Sequence, residues 1–86
     1  MKLHILKIKD AYFYEVISGS KTFEIRKNDR NFLSYDLIHF VDVNNEEFLN
    51  YENNVYQITY VLQDVPEYGL KEDYCILGIK KLTEGD

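Results

Sequence analysis

The sequence predicts an α+β fold, a small β-barrel or strongly curled sheet of five to six mostly antiparallel strands with one early α-helix. The chain has 86 residues, 45% of them hydrophobic, which is enough for one core and too few for two. Several short segments alternate apolar and polar side chains with the period of two that is typical of strands. Helical spacing occurs near the N-terminus but not between the later strands, which disfavours a doubly wound parallel sheet.

The first strand and the helix come at the start of the chain. Leu3 to Ile8 forms a predicted strand whose even-numbered residues share one face. Asp10 is expected to cap a short helix, in which apolar side chains recur at helical spacing. Gly19 stands where a helix commonly ends on a residue of left-handed conformation. The sequence therefore predicts a strand, a helix and a stop in succession.

The second strand, Lys21 to Lys27, has the cleanest alternation in the chain. It places three polar residues on one face, namely Thr22, Glu24 and Arg26. Phe23 and Ile25 lie on the opposite face, as expected for a half-buried strand. Residues 28–31 then break the pattern as a turn would.

The remaining predicted strands are separated by segments rich in turn-forming residues. They cover Tyr35 to Asp42, Phe48 to Tyr51, Val55 to Leu62 and Tyr74 to Leu82. Residues 63–73 contain the single Pro of the chain and are predicted to form a loop before the last strand. Residues 83–86 are expected to be a frayed end. One domain therefore spans residues 1–86.

Charge is distributed unevenly along the chain. The net charge of −5 argues against non-specific binding to duplex nucleic acid, which depends on neutralising many phosphates. Residues 1–30 nevertheless carry 7 basic and 4 acidic side chains, whereas residues 31–86 carry 3 basic and 11 acidic ones. An anionic ligand would therefore be drawn to the N-terminal third.

Cysteine content and hydropathy indicate a cytoplasmic protein. Cys75 is the single cysteine, so no intramolecular disulfide can form, and a reducing compartment is the expected location. No apolar stretch approaches the roughly 18 residues of a membrane span, so we expect neither a signal peptide nor a membrane contact. The two histidines, His4 and His39, lack ligand spacing, and the sequence predicts no metal and no cofactor.

The segment Gly19 to Arg30 is dense in groups that can carry chemistry. It contains both arginines of the chain, whose planar forks of donors suit phosphate or carboxylate groups. The candidate ligand-binding residues are Lys21, Thr22, Glu24, Arg26, Asn28, Asp29 and Arg30. A plain structural explanation competes with this hypothesis, because Glu24 and Arg26 could form an ordinary surface ion pair. Such pairs usually contribute no more than about 1 kcal/mol.

The chain resembles the ASCH domain in the run G-S-K-T-F-E-I-R-K-N-D-R and in the preceding H-I-L-K-I. It resembles more closely a family of short bacterial and phage proteins that is placed beside ASCH in the PUA-like superfamily. Lys21, Glu24 and Arg26 match the G-x-K-x-x-E-x-R core of ASCH. The turn residues 28–30 match an extension in the closer relatives. Those relatives carry Gly-Asp before the next strand, where this chain has Tyr35 and Asp36.

The resemblance implies a PUA-like barrel with a basic cleft beside the first helix, and a role in binding RNA or a nucleotide. One ASCH-like branch is enzymatic and removes the acetyl group from N4-acetylcytidine with a Lys, a Thr and a Glu. Lys21 occupies the position of that lysine and would be the catalytic residue of an enzyme. Glu24 stands where the branch has Thr, and its distal Glu could correspond to Glu67 or Glu72.

Three functional hypotheses follow from the sequence. In the first, a binding module, the basic residues grip a phosphate or base edge while Glu24 accepts a hydrogen bond from an amino group. The second is an amidohydrolase acting on an N-acylated nucleoside, with Lys21 in acid or base steps. The third is a scaffold that works through a protein partner. The sequence selects no oligomeric state, and we place the binding module first.

Tyrosines offer additional stacking faces for unpaired bases. Tyr56 and Tyr60 share a predicted strand face with Ile58, so we expect both to pack in the core or at its rim. Tyr68 lies in the long loop and is the tyrosine that we retain as a possible ligand contact.

Overall fold

The computed structural model describes residues 1–42 and 54–82, which form one α-helix, one short 3-10 helix and five strands. In chain order these are β1 (Leu3–Ile8), α1 (Asp10–Ser18), β2 (Phe23–Lys27), β3 (Leu37–Asp42), β4 (Val55–Gln63), the 3-10 helix (Pro66–Tyr68) and β5 (Tyr74–Lys81). The strand predicted at residues 48–51 and the frayed end predicted at residues 83–86 lie outside the described residues.

The five strands form one sheet in the order β1-β3-β4-β5-β2. β1 and β3 pair in parallel, and the other three pairings are antiparallel. The sheet curls into a half-barrel, so its two edge strands approach each other, and Arg26 Nη1 on β2 donates a hydrogen bond to the Lys7 carbonyl on β1 at 3.0 Å. The prediction of a small α+β domain with a curled, mostly antiparallel sheet is confirmed.

The concave face of the sheet and one side of α1 enclose the core. Phe13 of the helix is fully buried and Val16 nearly so. The even-numbered residues of β1, which were predicted to share one face, point inward, as do alternate residues of β3 and β5. The largest fully buried apolar side chains are Leu6, Phe13, Ile38, Phe40, Ile58 and Leu77.

The helix differs from its prediction at the first residue only. Asp10 is the first helical residue, and Lys9 is the N-cap, so Asp10 does not cap the helix as expected. Its negative charge still lies in the first turn, where the helix dipole favours an anion. At the other end Gly19 has a φ of 87° and donates to the Val16 carbonyl at 3.1 Å, which confirms the predicted stop.

The burial of β2 is inverted relative to an ordinary half-buried strand. The predicted alternation is present, but the polar side chain of Glu24 is buried, whereas Phe23 and Ile25 are 44% and 55% exposed. β2 is an edge strand, and its inner face borders the gap toward β1. Interpreting Glu24 and Arg26 as a surface ion pair is therefore wrong for the carboxylate, which lies inside the curl of the sheet.

A β-bulge in β4 changes the side of the sheet on which the Tyr60 side chain lies. Ile58 pairs with Ile79 and Tyr60 with Gly78, so Thr59 is the additional residue of β4. The side chain of Tyr60 consequently turns outward and is 63% exposed, contrary to the prediction that it shares the buried face of Ile58. Tyr56, which precedes the bulge, is buried as predicted.

Asp36 connects the start of β3 to the N-terminal strand. Its carboxylate accepts hydrogen bonds from the His4 ring at 2.9 Å, the Lys2 N–H at 3.0 Å and the Leu33 N–H at 3.2 Å. β3 begins after Asp36 rather than at Tyr35, because Tyr35 adopts a left-handed φ of 75°. Tyrosine thus adopts here a backbone conformation that glycine adopts more easily.

The Asp36 carboxylate should make stability dependent on pH. Burial raises its pKa, but the hydrogen bonds from His4, Lys2 and Leu33 outweigh burial and lower the pKa below the ordinary 3.8. The folded state therefore binds this proton less readily than the unfolded chain. The resulting stabilisation is complete well above pH 3.8 and is lost as the pH falls through the folded-state pKa.

We expect Asp36→Asn to lower the free energy of unfolding by about 2 kcal/mol at pH 7, because it weakens three hydrogen bonds to a buried anion. Urea denaturation at pH 7, 5 and 3 should show the difference from wild type shrinking at the lowest pH. Asp29→Asn, at an exposed position, is the matched control and should be nearly neutral. A difference that did not change with pH would contradict this account.

Tyr35→Gly should stabilise the protein by up to about 1 kcal/mol. A left-handed φ is unfavourable for a residue with a Cβ and costs glycine nothing, although the added freedom of the unfolded chain offsets part of the gain. Tyr35 is 68% exposed, so little packing is lost. Tyr35→Val, whose branched side chain tolerates this conformation least, should destabilise. Thermal unfolding of both variants checks the order, and a more stable Val variant would contradict it.

Candidate ligand-binding site

The gap between the two edges of the sheet contains a cavity of about 450 Å³, here called the edge cavity. Part of its wall is apolar and comes from Ile8, Phe23 and Ile25, and the ring of Tyr12 on α1 adds an aromatic surface. Lys21 and Glu24 contribute its polar groups. The exposed apolar face of β2 is therefore one wall of a recess.

Glu24 is the centre of the polar network beside the edge cavity. Lys21 Nζ donates to its Oε1 at 2.5 Å, and Arg26 Nη1 donates to its Oε2 at 3.1 Å. The exposed fraction of the side chain is 9% for Glu24, 16% for Lys21 and 25% for Arg26. Two cations thus neutralise one largely buried carboxylate and leave an excess of one positive charge.

Lys21 is held between several partners. In addition to its bond to Glu24, Nζ donates to the Phe23 carbonyl at 2.8 Å. The ammonium also lies 5.1 Å from the centroid of the Phe23 ring and 5.4 Å from that of Tyr12, within the range of cation–π attraction. The backbone N–H of Lys21 donates to the backbone carbonyl of Glu15 in the last turns of α1. The position of this ammonium is therefore fixed by both β2 and α1.

Arg26 connects the two sheet edges and does not line the edge cavity. One nitrogen, Nη1, reaches both Glu24 on its own strand and the Lys7 carbonyl on the opposite edge. Its side chain does not line the edge cavity. Arg26 therefore holds the two sheet edges together and orients the carboxylate that in turn orients Lys21.

The other predicted site residues are not gathered around the edge cavity. Thr22 is exposed and lies on a different wall, described below. Asn28 has a structural role, since its side chain accepts from the Phe32 N–H at 3.1 Å and donates to Gln63 at 2.7 Å. Asp29 and Arg30 are exposed in the turn that follows β2. The structure thus brings together Lys21, Glu24 and Arg26 from the predicted set.

Two basic residues at the site were missed by the sequence analysis. Lys7 and Lys9 line the edge cavity from the junction of β1 and α1. The basic excess of the N-terminal third was a signal for them, but their placement depends on which sheet edges meet. Glu67, Glu72 and Tyr68, considered as possible contributors from the long loop, are exposed and do not line this cavity.

A second cavity, of about 260 Å³, lies on the other side of Lys21, between the end of α1 and the end of β5. Its wall includes Thr22, Tyr56, Lys80 and Lys81. Lys21 lines both cavities, so the two recesses share one cationic side chain.

No group of three or more potential metal ligands occurs within residues 1–42 and 54–82. Over the same described ranges, no helix has the length and hydropathy needed to cross a membrane.

Comparison with known protein families assigns the chain to one of them. The family model described as "Domain of unknown function (DUF3850)" matches residues 3–79, which run from the first residue of β1 into β5. The chain belongs to the DUF3850 family. The matched region includes both walls of the edge cavity and the whole of the Lys21, Glu24 and Arg26 network. No curated protein sequence matches the chain.

In this DUF3850 protein, Glu24→Gln should lower the free energy of unfolding by about 2 kcal/mol. The neutral amide would leave two partly buried cations near each other without an anion between them. Urea denaturation measures the effect. Glu67→Gln, at an exposed position in the 3-10 helix, makes the same chemical change and should be nearly neutral.

A double variant makes the test more specific. Lys21→Gln removes one of the cations, so Glu24→Gln should cost less in that background than in wild type, with a coupling between the two sites above about 0.5 kcal/mol. Additive effects, or a Glu24→Gln variant as stable as the control, would contradict the network described here.

Proposed function

We propose that this chain is a PUA-like, ASCH-related module that binds a nucleotide or unpaired RNA at the edge cavity. The observation that carries the proposal is the combination of fixed cations and exposed aromatic rings around one recess. Lys7, Lys9 and Lys21 outnumber Glu24, the acidic residue of the same lining. Unpaired nucleic acid is commonly held in this way, by a basic groove for phosphates and aromatic faces for bases.

Two rings at the recess are suited to stacking. Tyr12 is 51% exposed and Phe23 is 44% exposed, although both contribute to the wall of the edge cavity. Aromatic stacking on a base is worth about 1 to 3 kcal/mol and tolerates different sequences. A base stacked on the exposed part of either ring would lie near the Lys21 ammonium.

Glu24 acts in this proposal as a positioning residue. Each of its oxygens already accepts a hydrogen bond from a cation. The group nearest the ligand is then a donor, Lys21, which favours an acceptor such as a phosphate or base carbonyl oxygen. This assignment replaces the initial hypothesis that Glu24 itself accepts from a base amino group.

The ASCH resemblance gains support from the arrangement of the motif. Lys21, Glu24 and Arg26, which match the family core, are the residues that meet beside the cleft. The curled half-barrel with one early helix is compatible with a PUA-like fold. We place the protein in the cytoplasm, where its buried Cys75 remains reduced.

The amidohydrolase hypothesis has less support from this geometry. Lys21 already donates to two acceptors, and Thr22 does not line the same cavity. Hydrolysis of N4-acetylcytidine to cytidine by the wild-type protein would revive that hypothesis, provided that it is lost in Lys21→Gln. Binding to a protein partner without any response to nucleotides would favour the scaffold.

The proposal is tested by titrating ¹⁵N-labelled protein with nucleoside monophosphates, single-stranded and duplex RNA, and N4-acetylcytidine at modest salt. Nucleotides and single-stranded RNA should shift the amides of residues 7–12 and 21–26. Lys21→Gln should weaken binding about tenfold, which corresponds to the loss of about 1.4 kcal/mol and is typical of a hydrogen bond to a charged group.

Lys27→Gln is the matched control, because Lys27 has the same charge, is exposed on β2 and lines neither cavity. It should change the affinity less than twofold. An equal loss in both variants would indicate general electrostatic attraction rather than a site. No amide shift with any nucleotide or RNA would refute the proposed function.

A further inference from the structure

The second cavity has the properties of a phosphate subsite. Among the residues that the structure describes, its charged lining residues are three lysines, namely Lys21, Lys80 and Lys81. Lys80 and Lys81 are exposed at the end of β5, at the rim of the recess. Three lysines in the lining of one small cavity, with no acidic residue in its described lining, favour an anion with several acceptor oxygens.

Tyr56 supplies a second and independent feature of this cavity. Tyr56 is only 3% exposed, yet it contributes to the cavity wall. The hydroxyl group is buried and has no hydrogen-bond partner. Burial also raises the pKa of this phenol, so the group remains protonated and can donate. A buried donor without a partner is unfavourable, and a ligand oxygen in the cavity would satisfy it.

Lys21 lies between the two cavities. This side chain lines both of them, and its ammonium is fixed by Glu24 and the Phe23 carbonyl. A ligand that passes across Lys21 therefore touches both recesses. A single nucleotide can occupy the edge cavity alone, whereas contact with the lysines at the end of β5 requires a ligand that extends past Lys21.

We propose that the second cavity binds a phosphate of the nucleotide next to the one in the edge cavity, so that the ligand is a dinucleotide or a longer single strand. This inference rests on the proposed function and narrows it. Lys21 lies at the junction, Lys80 and Lys81 receive the further phosphate, and the Tyr56 hydroxyl donates to one of its oxygens.

The test compares the affinities of uridine monophosphate and 5′-phosphorylated diuridylate by isothermal titration calorimetry. Wild type should bind the dinucleotide at least tenfold more tightly. The double variant Lys80→Gln/Lys81→Gln should lose that gain and retain the mononucleotide affinity within about twofold. Lys27→Gln, which removes a lysine outside both cavities, should retain the gain.

Tyr56→Phe removes a single hydroxyl and no charge. It should reduce the preference for the dinucleotide several-fold without lowering the melting temperature, since the buried ring is kept and an unpaired donor is removed. A preference that Tyr56→Phe leaves intact would overturn the role of the hydroxyl.

The outcomes separate this inference from the proposed function. Equal affinity for the two ligands, with amide shifts confined to the edge cavity, would overturn the phosphate subsite and leave the nucleotide site standing. A dinucleotide preference that the lysine variant retains would overturn it as well. Absence of binding by either ligand would refute the proposed function and the subsite together.

Discussion

The ion-pair network of Lys21, Glu24 and Arg26 joins the two open edges of the sheet. Arg26 bonds both to the buried Glu24 carboxylate and to the Lys7 carbonyl across the gap. A backbone ladder between these edges would close the barrel and eliminate the recess. Side-chain bonds instead hold the edges near each other while leaving space beside them. The same carboxylate fixes the Lys21 ammonium, so the network determines both the closure of the fold and the charge of the cleft.

The cations that pair with Glu24 also make the inverted burial of β2 possible. A buried carboxylate is stable only with close partners, and two cations supply them. Because the polar face of β2 is occupied by this network, Phe23 and Ile25 turn toward the exterior, where they form a wall of the edge cavity. The apolar surface that a ligand would contact thus follows from the electrostatic arrangement on the opposite face.

Much of the fold could be predicted from local pattern. β1 has the predicted boundaries, and Gly19 ends the helix through the left-handed conformation that glycine adopts easily. Tyr60 was misassigned because a bulge in β4 changes the side-chain period, and a bulge arises from pairing with β5 rather than from local composition. Tyr35 likewise takes a left-handed φ that its own sequence does not favour, in a turn anchored by Asp36.

For the site, the sequence by itself determined which groups are present: a lysine three residues before a carboxylate and an arginine two residues after it, in the basic third of the chain. Tertiary structure decided which way that strand faces. It also decided that Lys7 and Lys9 join the cleft and that Thr22 and the residues of the following turn do not. The physical reason is that period-two alternation defines two faces without saying which is buried, and only the curl of the whole sheet brings its edges together.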